Sequence, residues 1–125
     1  MANGSIGIWW SNPAITAFRR SIDIRIATLP AGDLGIARPQ NNLARLLITL
    51  NRLQEAEPLV DAALQARTEQ LPAENEERVE SQLSAMEWTR RSGDLATATR
   101  YWNAVRPVLA KVHPYTQLEG ARAHA

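Results

Sequence analysis

The sequence predicts an all-α fold, a stack of antiparallel helical hairpins in one domain. Apolar residues recur at spacings of three and four along most of the 125 residues, as they do on one face of an α-helix. Gly and Pro, which interrupt helices, are sparse and regularly placed. Pro30, Pro72 and Pro114 are also evenly spaced, and this spacing, the repeat interval, indicates a repeated helical unit.

The first predicted helix runs from Pro13 to about Thr28. Asn12 stands before Pro13, a pair typical of an N-cap followed by proline in the first turn. The stretch "SIDIRIA" within this segment alternates apolar and polar residues, as a strand would. Its neighbours keep a helical period, and the stretch one repeat interval later, "AALQARTE", favours a helix strongly, so a helix is predicted.

Two further helices are predicted between Ile36 and Leu71. The segment from Ile36 to Leu50 has leucines at helical spacing, and the segment from Leu53 to Leu71 continues the same period. The apolar stripes consist of Leu43, Leu46, Leu47 and Leu50 in the first, and of Leu53, Ala56, Leu59, Val60, Ala63 and Leu64 in the second.

The last two predicted helices run from about Glu74 to Arg91 and from Leu95 to Val112. Asn75 precedes several glutamates, whose charges favour the positive end of a helix. Gly93 stands where a helix would end on a left-handed residue. The stripes are Val79, Leu83, Met86 and Trp88, and then Leu95, Ala98, Trp102, Val105 and Leu109.

A shift of one repeat interval aligns the chain with itself without a gap. Turn residues, small residues and bulky residues then recur in the same order, which predicts a repeat of helix, tight turn, helix and longer loop. The aligned sets are Arg25 with Arg67, Leu29 with Leu71, Asn51 with Gly93, Ala14 with Ala56 and Ala98, Phe18 with Val60 and Trp102, and Ser21 with Ala63 and Val105. Trp102 is therefore predicted to lie in the core.

The repeat divides the chain into segments. Residues 1–12 are predicted to be an N-terminal tail, and residues 13–114 the repeat domain. The domain contains a half repeat at 13–30 and two hairpins at 36–72 and 76–114. Residues 115–125 are predicted to be a truncated helix or a C-terminal cap. Trp9 and Trp10 are expected to cover an exposed end of the stack or to dock onto another chain.

The stretch "NNLARLLITLNRLQEAEPLVDAALQAR" at residues 41–67 resembles a tetratricopeptide repeat (TPR). It is similar to the 42-residue variety found in kinesin light chains and many bacterial signalling proteins, and the resemblance covers roughly residues 13–114. It implies a right-handed solenoid of helical hairpins. The positions that match are Leu43, Ala44, Leu47, Leu53, Ala56, Ala63, Gly93, Leu95, Ala98 and Trp102; Met86 and Thr89 depart from the pattern.

The resemblance also implies a binding surface. In this family the first helix of each hairpin lines a concave groove, which binds a peptide or protein partner. Asn42 matches an asparagine that holds the backbone of a bound peptide, and Arg38 and Arg45 could pair with its acidic side chains. The implied peptide-binding residues are Arg38, Asn41, Asn42, Arg45, Ser84, Glu87 and Arg91, on a face that also includes Thr49, Glu80, Leu83 and Arg90.

The expected function is a non-catalytic protein–protein interaction or scaffolding module. Two alternatives stay open. Incomplete end repeats could drive self-association into a homo-oligomer or serve as a regulatory segment, or a small ligand could bind inside the stack in a sensory role.

Composition excludes several other classes of function. The chain contains no Cys, two His and a net charge of only +1, so thiolate chemistry and Cys-based metal sites are excluded and nucleic-acid binding is not expected. No catalytic residues, metal or cofactor are predicted, because no phosphate-binding loop, nucleophile motif or metal-ligand spacing occurs. The glutamates of "ENEERVE" are interpreted as a solvated helix face. No membrane segment or secretion signal is recognised, so a cytoplasmic protein is expected.

Overall fold

The computed structural model of the chain describes residues 12–112, and these residues form five α-helices with no strand among them. The all-α prediction is confirmed over this range, and "SIDIRIA" is helical. Trp9, Trp10, His113, Pro114 and the predicted segment 115–125 lie outside the described residues. The helices are α1 (Pro13–Thr28), α2 (Leu34–Thr49), α3 (Leu53–Gln70), α4 (Glu76–Ser92) and α5 (Leu95–Val112).

The helix bounds repeat with the spacing that the sequence predicts. The starts of α2 and α4 differ by one repeat interval, as do the starts of α3 and α5. The ends of α1, α3 and α5 keep the same spacing. Helix α2 begins two residues before the predicted Ile36, because Asp33 provides an N-cap that the apolar stripe does not reveal.

The caps of the helices repeat as well. Asp33 Oδ1 accepts the backbone N–H of Gly35 at 2.7 Å, and one repeat interval later Asn75 Oδ1 accepts that of Glu77 at 2.8 Å. Asn51 and Gly93, separated by the same interval, both have the left-handed backbone, with φ of 59° and 95°. The predicted caps at Asn12 and Gly93 are confirmed, and Asn75 is also an N-cap, at the start of α4. The first helix of each hairpin, α2 or α4, therefore begins and ends through the same local chemistry.

Equivalent arginines on α1 and α3 connect each of these helices to the helix that follows it. Arg25 Nη1 donates to the Gly35 carbonyl at 2.6 Å, and Arg67 Nη1 donates to the Glu77 carbonyl at 2.9 Å. Helix α2 contains Pro39, which has no N–H to donate to the Gly35 carbonyl one turn earlier. The Arg25 guanidinium supplies the donor that this proline removes.

Each helix packs against the next one along the chain, and α2 also packs against α4. Alanines at the hairpin contacts let the helix axes approach, as predicted for Ala56 and Ala98, which are buried. Trp88 donates its indole N–H to the Leu53 carbonyl at 2.7 Å and joins α4 to the start of α3. The main core contains Ile15, Ile22, Leu43, Ala44, Leu47, Ile48, Ala56, Val60 and Ala85.

The prediction that Trp102 lies in the core is wrong. Its side chain is 41% exposed, although Val60 at the equivalent position of α3 is buried. Helix α3 packs against both α2 and α4, whereas α5 packs only against α4 within residues 12–112. Its outer face therefore stays uncovered in this range, and Leu95 is exposed for the same reason.

None of the five described helices has the length and apolar character needed to cross a membrane.

Candidate peptide-binding cleft

Helices α2 and α4 form a cleft of about 260 Å³ between them. Its apolar floor comes from Ile48, which is buried, and from Leu83, which is half-buried. The remaining lining side chains are polar or charged, so the cleft combines a small apolar floor with a hydrophilic rim. The lining residues are Arg45, Ile48, Thr49, Glu80, Leu83, Ser84, Glu87 and Arg91.

Two opposite charges stand at the rim without a partner. Arg45 on α2 and Glu80 on α4 are exposed, and neither side chain makes a hydrogen bond or ion pair with another residue in the 12–112 range. Both charges are therefore available to a ligand, one as a donor and the other as an acceptor.

Glu87 organises the charges at one end of the cleft. Its carboxylate accepts hydrogen bonds from Arg90 Nη2 at 2.6 Å and Arg91 Nε at 2.7 Å. These bonds, first to Arg90 and then to Arg91, lower the pKa of Glu87 to about 2. Glu87 is consequently ionised at neutral pH and cannot act there as a general acid.

Arg91 also connects the two helices that form the cleft. Its Nη1 donates at 2.9 Å to the Ile48 carbonyl in the last turn of α2, where helix carbonyls lack intrahelical partners. The Arg91 guanidinium thus bonds to both the Glu87 carboxylate and the Ile48 carbonyl. These bonds hold α4 against the end of α2.

Asn41 and Ser84 join the same helices at their centre. The Ser84 hydroxyl donates to Asn41 Oδ1 at 2.9 Å, and the Asn41 side chain is only 1% exposed. Asn41 therefore presents no surface to a ligand in this arrangement. Its interaction sets the register of α2 on α4 and thereby the width of the cleft.

The structure places the seven predicted binding residues in two locations. Arg45, Ser84, Glu87 and Arg91 line the α2–α4 cleft, with Asn41 behind it. Arg38 and Asn42 line a separate groove of about 460 Å³ between α1 and α2. The two sets belong to adjacent grooves because Asn42 lies on the α1 side of α2 and Arg45 on the α4 side.

Sequence reasoning missed Ile48 as the floor of the cleft. It follows Arg45 by three residues, so the two share a helix face, and this spacing was the available signal. Peptide binding by the predicted residues stays a prediction.

The described residues contain no cluster of three or more His, Asp or Glu side chains that could hold a metal ion. The cleft presents two opposite charges without a partner in the described residues beside an apolar floor, an arrangement that can bind a ligand.

No family model, curated protein or solved structure matches this chain.

Proposed function

We propose that the protein is a non-catalytic interaction module that binds a peptide segment of a partner protein in the α2–α4 cleft. The proposal includes the TPR-like right-handed solenoid that the resemblance implies. Support comes from helix bounds and caps that recur at the repeat interval, and from the packing of α2 against both α3 and α4. Hairpins that stack in this way leave a surface between their first helices.

The observation that carries the proposal is that two opposite charges beside the apolar floor make no hydrogen bond or ion pair with another described residue. Arg45 on α2 and Glu80 on α4 line the same cleft as Ile48 and Leu83. An extended peptide can place one apolar side chain on this floor and pair its polar groups with the two charges. The volume of about 260 Å³ suits one side chain of a peptide better than a larger cofactor.

Selection from a displayed peptide library, followed by fluorescence anisotropy with the selected peptides, tests the proposal. Arg45→Glu replaces the free cation of the cleft with an anion, so binding should weaken by roughly ten-fold or more, as loss of a charge-assisted hydrogen bond predicts. The matched control is Arg106→Glu, which makes the same charge change at an exposed position of α5. It should leave binding within about two-fold.

Two outcomes would overturn the proposal. One is a selection that yields no peptide with saturable binding. The other is binding that Arg45→Glu and Arg106→Glu weaken equally, because the peptide then responds to net charge instead of to the cleft.

Self-association is a second candidate, and exposed apolar side chains on α5 favour it. Leu95 is 62% exposed and Trp102 is 41% exposed, on a helix that packs only against α4 within the described range. A second copy could cover this face and bury both side chains.

Light scattering over a range of concentrations tests self-association, with Trp102→Gln as the variant. A self-associating protein would show a mass that rises with concentration and that this substitution lowers. A constant monomer mass would exclude the second candidate and leave the peptide-binding proposal untouched.

A further inference from the structure

A second crevice lies on a part of the surface that shares no lining residue with the α2–α4 cleft. It has a volume of about 540 Å³ and lies between α1 and α3, above the first turns of α2. Ile36 and Ala66 form its buried floor. Side-chain bridges connect the elements that form it, since Gln70 Nε2 of α3 donates to the Gly32 carbonyl at 2.6 Å and Arg19 of α1 pairs with Glu55 of α3 at 3.1 Å.

The equivalent place in the next hairpin is filled by an arginine. Arg78 follows Ile36 by one repeat interval and stands at the same position of α4. Its Nη1 donates to the Leu71 carbonyl at 2.8 Å and to the Thr68 carbonyl at 3.4 Å, at the C-terminal end of α3. The negative end of a helix dipole favours such a cation. The second hairpin thus contains its own guanidinium where the first contains Ile36.

The matching acceptors at the open crevice lack donors, and of the two residues that carry them Ile26 lines the crevice. Ile26 and Leu29 are the equivalents of Thr68 and Leu71, at the C-terminal end of α1. Pro30 has no N–H for the Ile26 carbonyl. In the described part of the chain no other donor reaches the Ile26 or Leu29 carbonyl. The open crevice therefore lies at the same helix C-terminus as its filled counterpart does in the next hairpin, without the guanidinium.

The charge of the crevice favours a cation as well. Asp33 and Glu69 are its charged lining residues, and both are acidic. In the filled counterpart the position of Glu69 is taken by Lys111, which lies 3.8 Å from Glu74 and brings a cation to that rim. The lining of the open crevice contains no cationic side chain, and of its two carboxylates Asp33 caps α2 while Glu69 is exposed at the rim.

We propose that the α1–α3 crevice binds an arginine side chain presented by a partner protein. The arginine stem lies on Ile36 and Ala66, and the guanidinium donates to the Ile26 and Leu29 carbonyls, as Arg78 does to their equivalents. Glu69 at the rim adds the attraction of a carboxylate. Arg78 is the intramolecular precedent for the chemistry of this ligand, a guanidinium that donates to carbonyls at a helix C-terminus.

Titration of the isotope-labelled full chain with acetyl-arginine amide, followed by amide chemical shifts in NMR, tests the proposal. Saturable shifts are expected in residues 26–36 and 62–69. Acetyl-citrulline amide has the same shape without the charge, and should bind roughly ten-fold more weakly because it lacks charge-assisted hydrogen bonds.

Three variants test whether the chemical-shift changes arise from binding in the α1–α3 crevice. Ile36→Arg places in the open crevice the arginine that its counterpart already has, and should abolish the shifts. Glu69→Lys changes only an exposed rim residue, so it stays folded if Ile36→Arg does not, and should weaken binding roughly three-fold. Arg78→Ala empties the filled crevice, and should add a second set of shifts around residues 68–78.

The proposal is overturned if the wild-type protein shows no saturable shifts at residues 26–36. It is also overturned if the citrulline compound binds equally well, or if neither Ile36→Arg nor Glu69→Lys reduces the response. Binding of peptides in the α2–α4 cleft involves other residues and is unaffected by any of these results.

Discussion

At the residue scale, Arg67 brings a charge into the interior between α3 and α4. Its side chain is 2% exposed and donates to the Glu77 carbonyl and the Ser81 hydroxyl. Burial lowers its pKa, while Glu77 and Glu80 act in the opposite direction. The sequence contained a signal for this role, because Arg25 and Arg67 are one repeat interval apart. Pattern alone could not reveal which carbonyls these arginines reach.

Replacing Arg67 with Met is expected to lower the free energy of unfolding by about 2 kcal/mol, because the Glu77 and Ser81 groups lose a buried donor. The matched substitution Arg25→Met removes one comparable bond from a half-buried arginine and should cost about 1 kcal/mol. Urea unfolding followed by circular dichroism measures both values. Equal small effects from the two substitutions would show that the interior position of Arg67 has no energetic consequence.

The Glu87 carboxylate predicts a pH dependence of stability. Its folded pKa of about 2 lies below the ordinary value of 4.5, so its contribution is present above pH 4.5 and is lost as the pH falls toward 2. Glu87→Gln should therefore reduce stability at neutral pH by on the order of 1 kcal/mol, after allowance for solvent screening. The gap between the variant and the wild-type protein should close between pH 4.5 and 2.

Urea titrations across this pH range provide the measurement. Glu57→Gln is the control, since Glu57 is an exposed carboxylate that makes no ion pair within the described residues. A difference in stability between Glu87→Gln and the wild-type protein that stays constant with pH would contradict the assigned interactions with Arg90 and Arg91.

At the scale of the elements, turn chemistry fixes where helices end. The turn that follows α4 places Gly93 at a φ of 95°, and the turn that follows α2 places Asn51 at a φ of 59°. Gly and Asn are the residues that adopt this conformation most readily, which is why sequence alone located the end of α4. The internal proline of α2 carried no such signal, because the donor that replaces its missing N–H group is Arg25, which lies on α1.

Gly93→Ala is expected to destabilise the protein by about 1 kcal/mol, the cost of a left-handed backbone for a residue with a Cβ atom. A Cβ atom at this position would meet nothing within 4 Å, so the effect is conformational and not steric. Gly93→Asn should cost less, because Asn tolerates this conformation better. Thermal unfolding measures the loss of stability in the two variants. A larger loss for Gly93→Asn than for Gly93→Ala would contradict this explanation.

At the scale of the whole molecule, a single repeat interval relates helix bounds, caps and arginine contacts. The number and order of helices could be predicted, because breakers and apolar stripes are local signals. The exposure of Trp102 could not be predicted, because it depends on what packs against α5. The division of the predicted binding residues between two grooves likewise depends on how α2 is rotated about its own axis. The positions of Arg38 and Arg45 in the sequence do not reveal this rotation.

The contact between α2 and α4 is the central claim, since both the stack and the cleft depend on it. The chain has no Cys, so a disulfide between introduced cysteines reports this contact without interference. Mild oxidation of the Asn41→Cys/Ser84→Cys protein should form an intramolecular disulfide, because the two residues face each other across this contact, with Ser84 Oγ 2.9 Å from Asn41 Oδ1. The Asn41→Cys/Gln82→Cys protein, whose second cysteine lies on another face of α4, should not form one. Failure of the first pair, or equal cross-linking of both, would contradict the account.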